Sequence, residues 1–307
     1  MATRTVPAAP PKKSVLQALA RPPLVGLFAF LIVFVVQGLG HTLMVGMESI
    51  FGEAYVLQSA FVLGLAGAVL LFIGMRHDSE VAGTWYGFWA GTLIWSGWVE
   101  FSFVWSGNAL GVPDLMDTHA AGEIATKAEY LVMMSSIGVC LGVLVPLTLN
   151  RETKCNLFVW FQRNLGMRTG KPSRGYERNF AYITCLETIF VTWFCYLALL
   201  FIYDEKILGD RHPVTYAIFF FNTIWAFYLL SRLLKMWKVT TAVRYSIPTA
   251  IIAFSSYEIA GRWNLWADIW VHPERFGVVL SLLAGALAIA AFLAVRTPTH
   301  AKRHLNA

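Results

Sequence analysis

His41, Glu100, Glu129, Glu187 and Glu258 fall inside, or at the ends of, long apolar runs. A charge in the hydrocarbon of a bilayer costs roughly 3 kcal/mol or more, so an ionisable side chain there is a candidate functional group. Such a carboxylate must be protonated, paired or bound to a cation. Glu100 stands in Trp95-Ser-Gly-Trp-Val-Glu-Phe-Ser-Phe103, where Ser96 and Gly97 allow another helix close approach. Glu258 follows Ser255, Ser256 and Tyr257, and Arg262 four residues on offers it an ordinary ion pair. Glu187 lies apart from these. It reads as a proton way-station, or as a neutral acid hydrogen-bonded to a neighbouring span.

His119 and Glu123 precede Glu129 in a stretch, Thr118–Met133, whose residues favour helix. Positions four apart then share a face. An imidazole and a carboxylate so spaced can hold one iron, copper, manganese or zinc ion. Glu123 also stands four residues before Lys127, which supplies an ion pair as the plain alternative. His41, Glu100, His119, Glu123, Glu129 and Glu258 together form the expected ligand set for a transition-metal ion, with Glu187 as a proton relay.

The elements that position these residues can be read from composition. Apolar types make up 57% of the 307 residues and charged types 14%. A typical globular domain has about 45–50% and about 25%. A membrane-crossing helix needs about 20 apolar residues. Eight such stretches are predicted, near Leu24–Val45, Tyr55–Met75, Gly83–Ser106, Ala128–Leu149, Phe180–Tyr203, Pro213–Leu234, Thr241–Ala260 and Phe276–Val295. The expected fold class is all-α, a polytopic integral membrane helix bundle of about eight transmembrane helices. Pro248 is expected to kink the seventh. Trp85, Trp105, Tyr203, Trp237 and Trp263 read as an interfacial aromatic belt.

Most of the 24 Lys and Arg fall in alternate connections if the N and C termini are cytoplasmic. Only Lys127, Lys206, Arg211, Arg262 and Arg275 then lie outside, and most of the 18 acids lie at or near the outer face. His41, Glu100, Glu129 and Glu258 fall at similar depth beneath that face, whereas Glu187 lies in the inner half. The expected organisation is a flexible cytoplasmic tail over 1–22, a transmembrane domain over 23–297 and a cytoplasmic tail over 298–307. A basic cytoplasmic loop, 150–179, separates helices four and five. Its Asn156-Leu-Phe-Val-Trp-Phe161 run beside Arg163 reads either as a short helix on the inner lipid surface or as a plain basic loop.

The net charge of +6 is spread between apolar runs, so no nucleic-acid partner is expected. The chain has no Gly-rich phosphate loop, so no nucleotide is expected either. Gly-x-Ser-x-Gly, His-Glu-x-x-His and Cys-x-x-Cys-His are also missing. The expected partners are the lipid bilayer and other membrane proteins. The expected location is a bacterial inner membrane. The expected function is that of a metal-dependent membrane oxidoreductase acting on a lipophilic or small neutral substrate. A proton- or metal-cation-coupled transporter and a non-catalytic subunit of a larger complex are the alternatives.

Overall fold

The computed structural model describes residues 15–116, 124–150, 153, 156–167 and 177–298. His119 and Glu123 lie outside the described residues, as do the two ends of the chain. The fold is all-α, with one two-stranded hairpin among the described residues. The helices are α1 (Val15–Leu19), α2 (Leu24–Met75), α3 (Glu80–Ile94), α4 (Phe101–Ala109), α5 (Ala128–Ser135) and α6 (Ile137–Leu149). They continue as α7 (Asn156–Asn164), α8 (Phe180–Tyr203), α9 (Pro213–Leu233), α10 (Val239–Arg262) and α11 (Pro273–Val295).

Among the described residues, five helices are long and apolar enough to cross a membrane: Leu24–Gly52, Ala54–Met75, α8, α9 and α11. The bent pair α5–α6 makes a sixth if it is one span. α10 and the rod containing α3 and α4 pack among them and carry Glu258 and Glu100.

Local chemistry sets the boundaries. The two halves of α2 are separated by a break at Gly52, whose φ of 61° lies in the left-handed region that glycine reaches without strain. The connection expected between Val45 and Tyr55 is therefore helical almost throughout. Ser79 caps α3, its side chain accepting from the Ala82 N–H at 3.3 Å. Asn179 caps α8 in the same way, accepting from Tyr182, and its amide nitrogen donates to the Met75 carbonyl at 3.0 Å. One side chain thus starts α8 and fastens it to the end of α2. Pro213 and Pro273 occupy first-turn positions, where the missing N–H costs nothing.

α3 lies directly on α8 through Gly83, Gly87 and Gly91, spaced one helical turn apart. A β-carbon on Gly87 would lie 2.2 Å from the Ala181 carbonyl oxygen, and one on Gly91 2.8 Å from that of Cys185. Small residues at this spacing let two helix backbones meet and gain close dispersion contacts. Gly97 does the same for α2: its β-carbon would meet the Gly64 nitrogen at 2.4 Å.

Several expectations are corrected. Trp85 is a core residue, 1% exposed, set edge-to-face against Phe88 at 5.9 Å, and not part of an interfacial belt. Thr118–Met133 is not one helix. Ile124–Thr126 is a strand paired with Leu115–Met116, and α5 begins only at Ala128, whose N–H donates to the Asp114 carboxylate at 2.7 Å. The helix expected to run straight from Ala128 bends by 46° between α5 and α6. Ser135 and Ser136 stand at the bend, and their hydroxyls donate back to the Val132 and Met133 carbonyls. The N-terminal segment is not wholly a loose tail: α1 is helical and Ala20 is fully buried. The Asn156 run is helical in α7, anchored by Gln162, whose amide donates to the Thr148 and Asn150 carbonyls.

Candidate functional site

Between α3 and α4 the chain winds as one π-turn, Trp95–Glu100. Such a turn carries an extra residue, rotates the helix beyond it and recurs at functional sites. Here it buries Glu100 to 5% exposure. Trp95, the first residue of the turn, is also buried and lines the same cavity as Glu100.

Glu100 lines a cavity of about 50 Å³ together with His41 of α2, Tyr196 and Cys195 of α8, and Glu258 of α10. That volume admits roughly three or four water-sized groups. Ser96, Thr92, Thr192, Ser255 and Gln37 add neutral polar groups to its wall. The wall holds two carboxylates and one imidazole, and no lysine or arginine among the described residues.

His41 Nε2 lies 3.5 Å from a Glu258 carboxylate oxygen. Its ring is stacked between Tyr196 and Phe254, 6.1 Å from each centroid, with interplanar angles of 29° and 18°. Two near-parallel rings beside one imidazole restrict its plane, and Nε2 points to Glu258. The Tyr196 ring lies 5.8 Å from that of Tyr130 of α5. Glu100 and Asp268 act on His41 electrostatically. Asp268 lies in the connection before α11. Burial raises its carboxyl above the ordinary carboxylate range, partly offset by a hydrogen bond from the Trp270 N–H.

His41, Glu100 and Glu258, from three distant parts of the chain, therefore face one cavity. Glu129 does not line it. It sits in the first turn of α5, 3.8 Å from Lys127, and reaches Glu100 only through longer-range electrostatics. His119 and Glu123 lie outside the described residues. Among the described residues, no three His, Cys, Asp or Glu side chains sit close enough to share one metal ion as they stand.

Two charged residues have partners that differ from expectation. Arg262 engages Asp210 at 2.7 Å and lies over the Tyr203 ring, instead of pairing with Glu258. Trp263 adds a hydrogen bond to the Asp210 carbonyl at 2.7 Å. Glu187 is not an isolated acid. Arg244 of α10, expected in a cytoplasmic connection, holds it by two hydrogen bonds, one from Nε at 2.8 Å. A carboxylate gripped at two points by a guanidinium is a strong charge-assisted anchor. Glu80 of α3 pairs with Lys238 at 3.0 Å near the same end of α10.

Tyr196, Tyr130 and Trp95 are not legible in the sequence as site residues. A hydroxyl-bearing ring inside an apolar run looks the same whether it meets lipid or a cavity. No family model matches the chain, and neither a curated protein nor a solved structure matches it.

Proposed function

We propose that this chain is an eight-span integral membrane protein with both termini cytoplasmic, and that its cavity is a cation-binding centre near the outer leaflet. The eight spans in this reading are the six apolar candidates, α10, and the rod running from α3 through the π-turn to α4. Charge balance carries the reading: His41, Glu100 and Glu258 face one small cavity whose described wall has no fixed cation. Even with His41 protonated against Glu258, Glu100 needs a proton or an ion of its own.

The cation we favour is a transition-metal ion, which makes the protein a metal-dependent membrane oxidoreductase for a small neutral or lipophilic substrate. Imidazole and carboxylate suit iron, copper, manganese and zinc. Bound there, such an ion supplies Lewis acidity or oxygen activation. His41, Glu100 and Glu258 are its ligands from the described cavity. His119, Glu123 and Glu129 are candidates to complete the set from the α4–α5 side. The chain's own part is to orient the imidazole between Tyr196 and Phe254 and to keep bulk water out with Trp95.

A second reading replaces the metal with a proton shared among His41, Glu258 and Glu100. It is favoured by the spacing of the donors, which as they stand are too far apart to grip one ion. In that reading the protein is a proton-coupled transporter, and Glu187–Arg244 and Glu80–Lys238 are the contacts that open toward the cytoplasm.

Metal analysis of the purified full chain separates the two. About one ion per chain is expected in the wild type and in Glu274→Gln, an exposed control, and loss of most of it in His41→Ala and Glu100→Gln. Full metal content in both of these variants removes the assigned ligands. A metal-free wild type that takes up protons in liposomes, with uptake lost in Glu100→Gln, establishes the second reading.

A further inference from the structure

α11 meets the rest of the bundle unevenly. Only Leu280 and Ala294 on it are buried. Beside this packed stripe, one flank of the helix carries Ala284, Ala288 and Ala291, at the three- and four-residue spacing of one helix face. Side chains that short leave a gap against α3, where Tyr86 and Trp89 form the opposite wall. The result is an apolar groove of about 590 Å³ that ends at Arg296. That volume is within the roughly 300–1,000 Å³ of ligand sites. From Ala284 to Arg296 the groove runs along α11 for ~18 Å at about 1.5 Å per residue. Half of a ~30 Å hydrocarbon core is ~15 Å, so a groove starting at a basic residue on the membrane boundary reaches about the mid-plane.

We propose that this groove is a phospholipid site: one acyl chain lies along Ala284, Ala288 and Ala291, and the phosphate pairs with Arg296. The length matches one leaflet's acyl chain, the wall is apolar, and the single charge stands where the headgroup of such a lipid sits. Arg296 lies over the Phe292 ring at 4.0 Å, which holds the guanidinium at the groove mouth. An empty apolar gap of this size forfeits dispersion contacts along both walls, and a tail restores them. The proposal rests on the membrane reading above but not on the cation centre.

The test is native mass spectrometry of the delipidated full chain in detergent, titrated separately with phosphatidylglycerol, oleate and inorganic phosphate. One phosphatidylglycerol per chain is expected to stay bound, with neither oleate nor phosphate retained. Ala288→Trp, which fills the groove, is expected to abolish retention. Arg296→Gln, at an exposed position, is expected to leave the folded chain intact and to weaken retention about tenfold. Unchanged affinity in Arg296→Gln overturns the proposal even if Ala288→Trp fails to fold. Retention of oleate as strong as that of phosphatidylglycerol, or no retained lipid at all, also overturns it. Failure of the membrane reading has its own signature, release of the chain from membranes by alkaline carbonate, which no lipid titration mimics.

Discussion

Arg244→Ala is expected to destabilise the protein by about 3–5 kcal/mol, because it leaves the Glu187 carboxylate buried without its two-point partner. The pair is only 17% and 21% exposed, so solvent screens it little, and the discount that applies to surface ion pairs does not apply here. It joins α8 to α10, the two helices that carry Tyr196 and Glu258. Loss of the folded state should therefore come at a clearly lower denaturant concentration in an SDS titration. Glu187→Gln combined with Arg244→Met removes both charges while keeping the volume, and is expected to recover most of the loss. An Arg244→Ala protein that unfolds together with the wild type would show that the pair contributes nothing.

Gly87→Val is the second large effect. The β-carbon alone would stand 2.2 Å from the Ala181 carbonyl oxygen and 2.8 Å from its α-carbon, so α3 and α8 must separate. Backbone cannot yield as a flexible side chain can, which puts the cost at or above the upper end of the ~1–3 kcal/mol typical of overpacking. The damage spreads, since α3 leads into the π-turn that buries Glu100. The expected result is little or no monodisperse protein after purification. Gly142→Ala makes the contrast: nothing lies within 4 Å of its β-carbon, and alanine favours helix by roughly 0.8–1 kcal/mol. That variant should match the wild type or exceed it, and equal yields of the two variants would refute the close-packing argument.

Legibility in the sequence tracks the range of the interaction concerned. Phe180–Tyr203 is readable to the residue, because its apolar run comes directly after a capping Asn179 and both signals are local. His41, Glu100 and Glu258 stand out because a lone acid or imidazole in an apolar run is conspicuous whatever surrounds it. The π-turn is not readable, because it lies where Gly97 meets Gly64, a crossing between distant segments. Trp85 looks interfacial because its position near a span end is a one-dimensional fact, while its burial depends on which helices lie around it. Arg244 looks like loop charge for the same reason; only the approach of α8 reveals Glu187 opposite it. Arg262 has two acids to choose between, and sequence proximity favours Glu258 over the more distant Asp210 that the fold presents.

The break at Gly52 bears on biogenesis. Leu24–Gly52 and Ala54–Met75 are separated by a single residue. If both rods cross the bilayer, that is too little chain to let one of them cross and wait for the other. The pair is then a helical hairpin that must partition from the insertion machinery as one unit, its second rod committed before the first has settled. A reporter tag spliced at this tip would have no slack in which to sit.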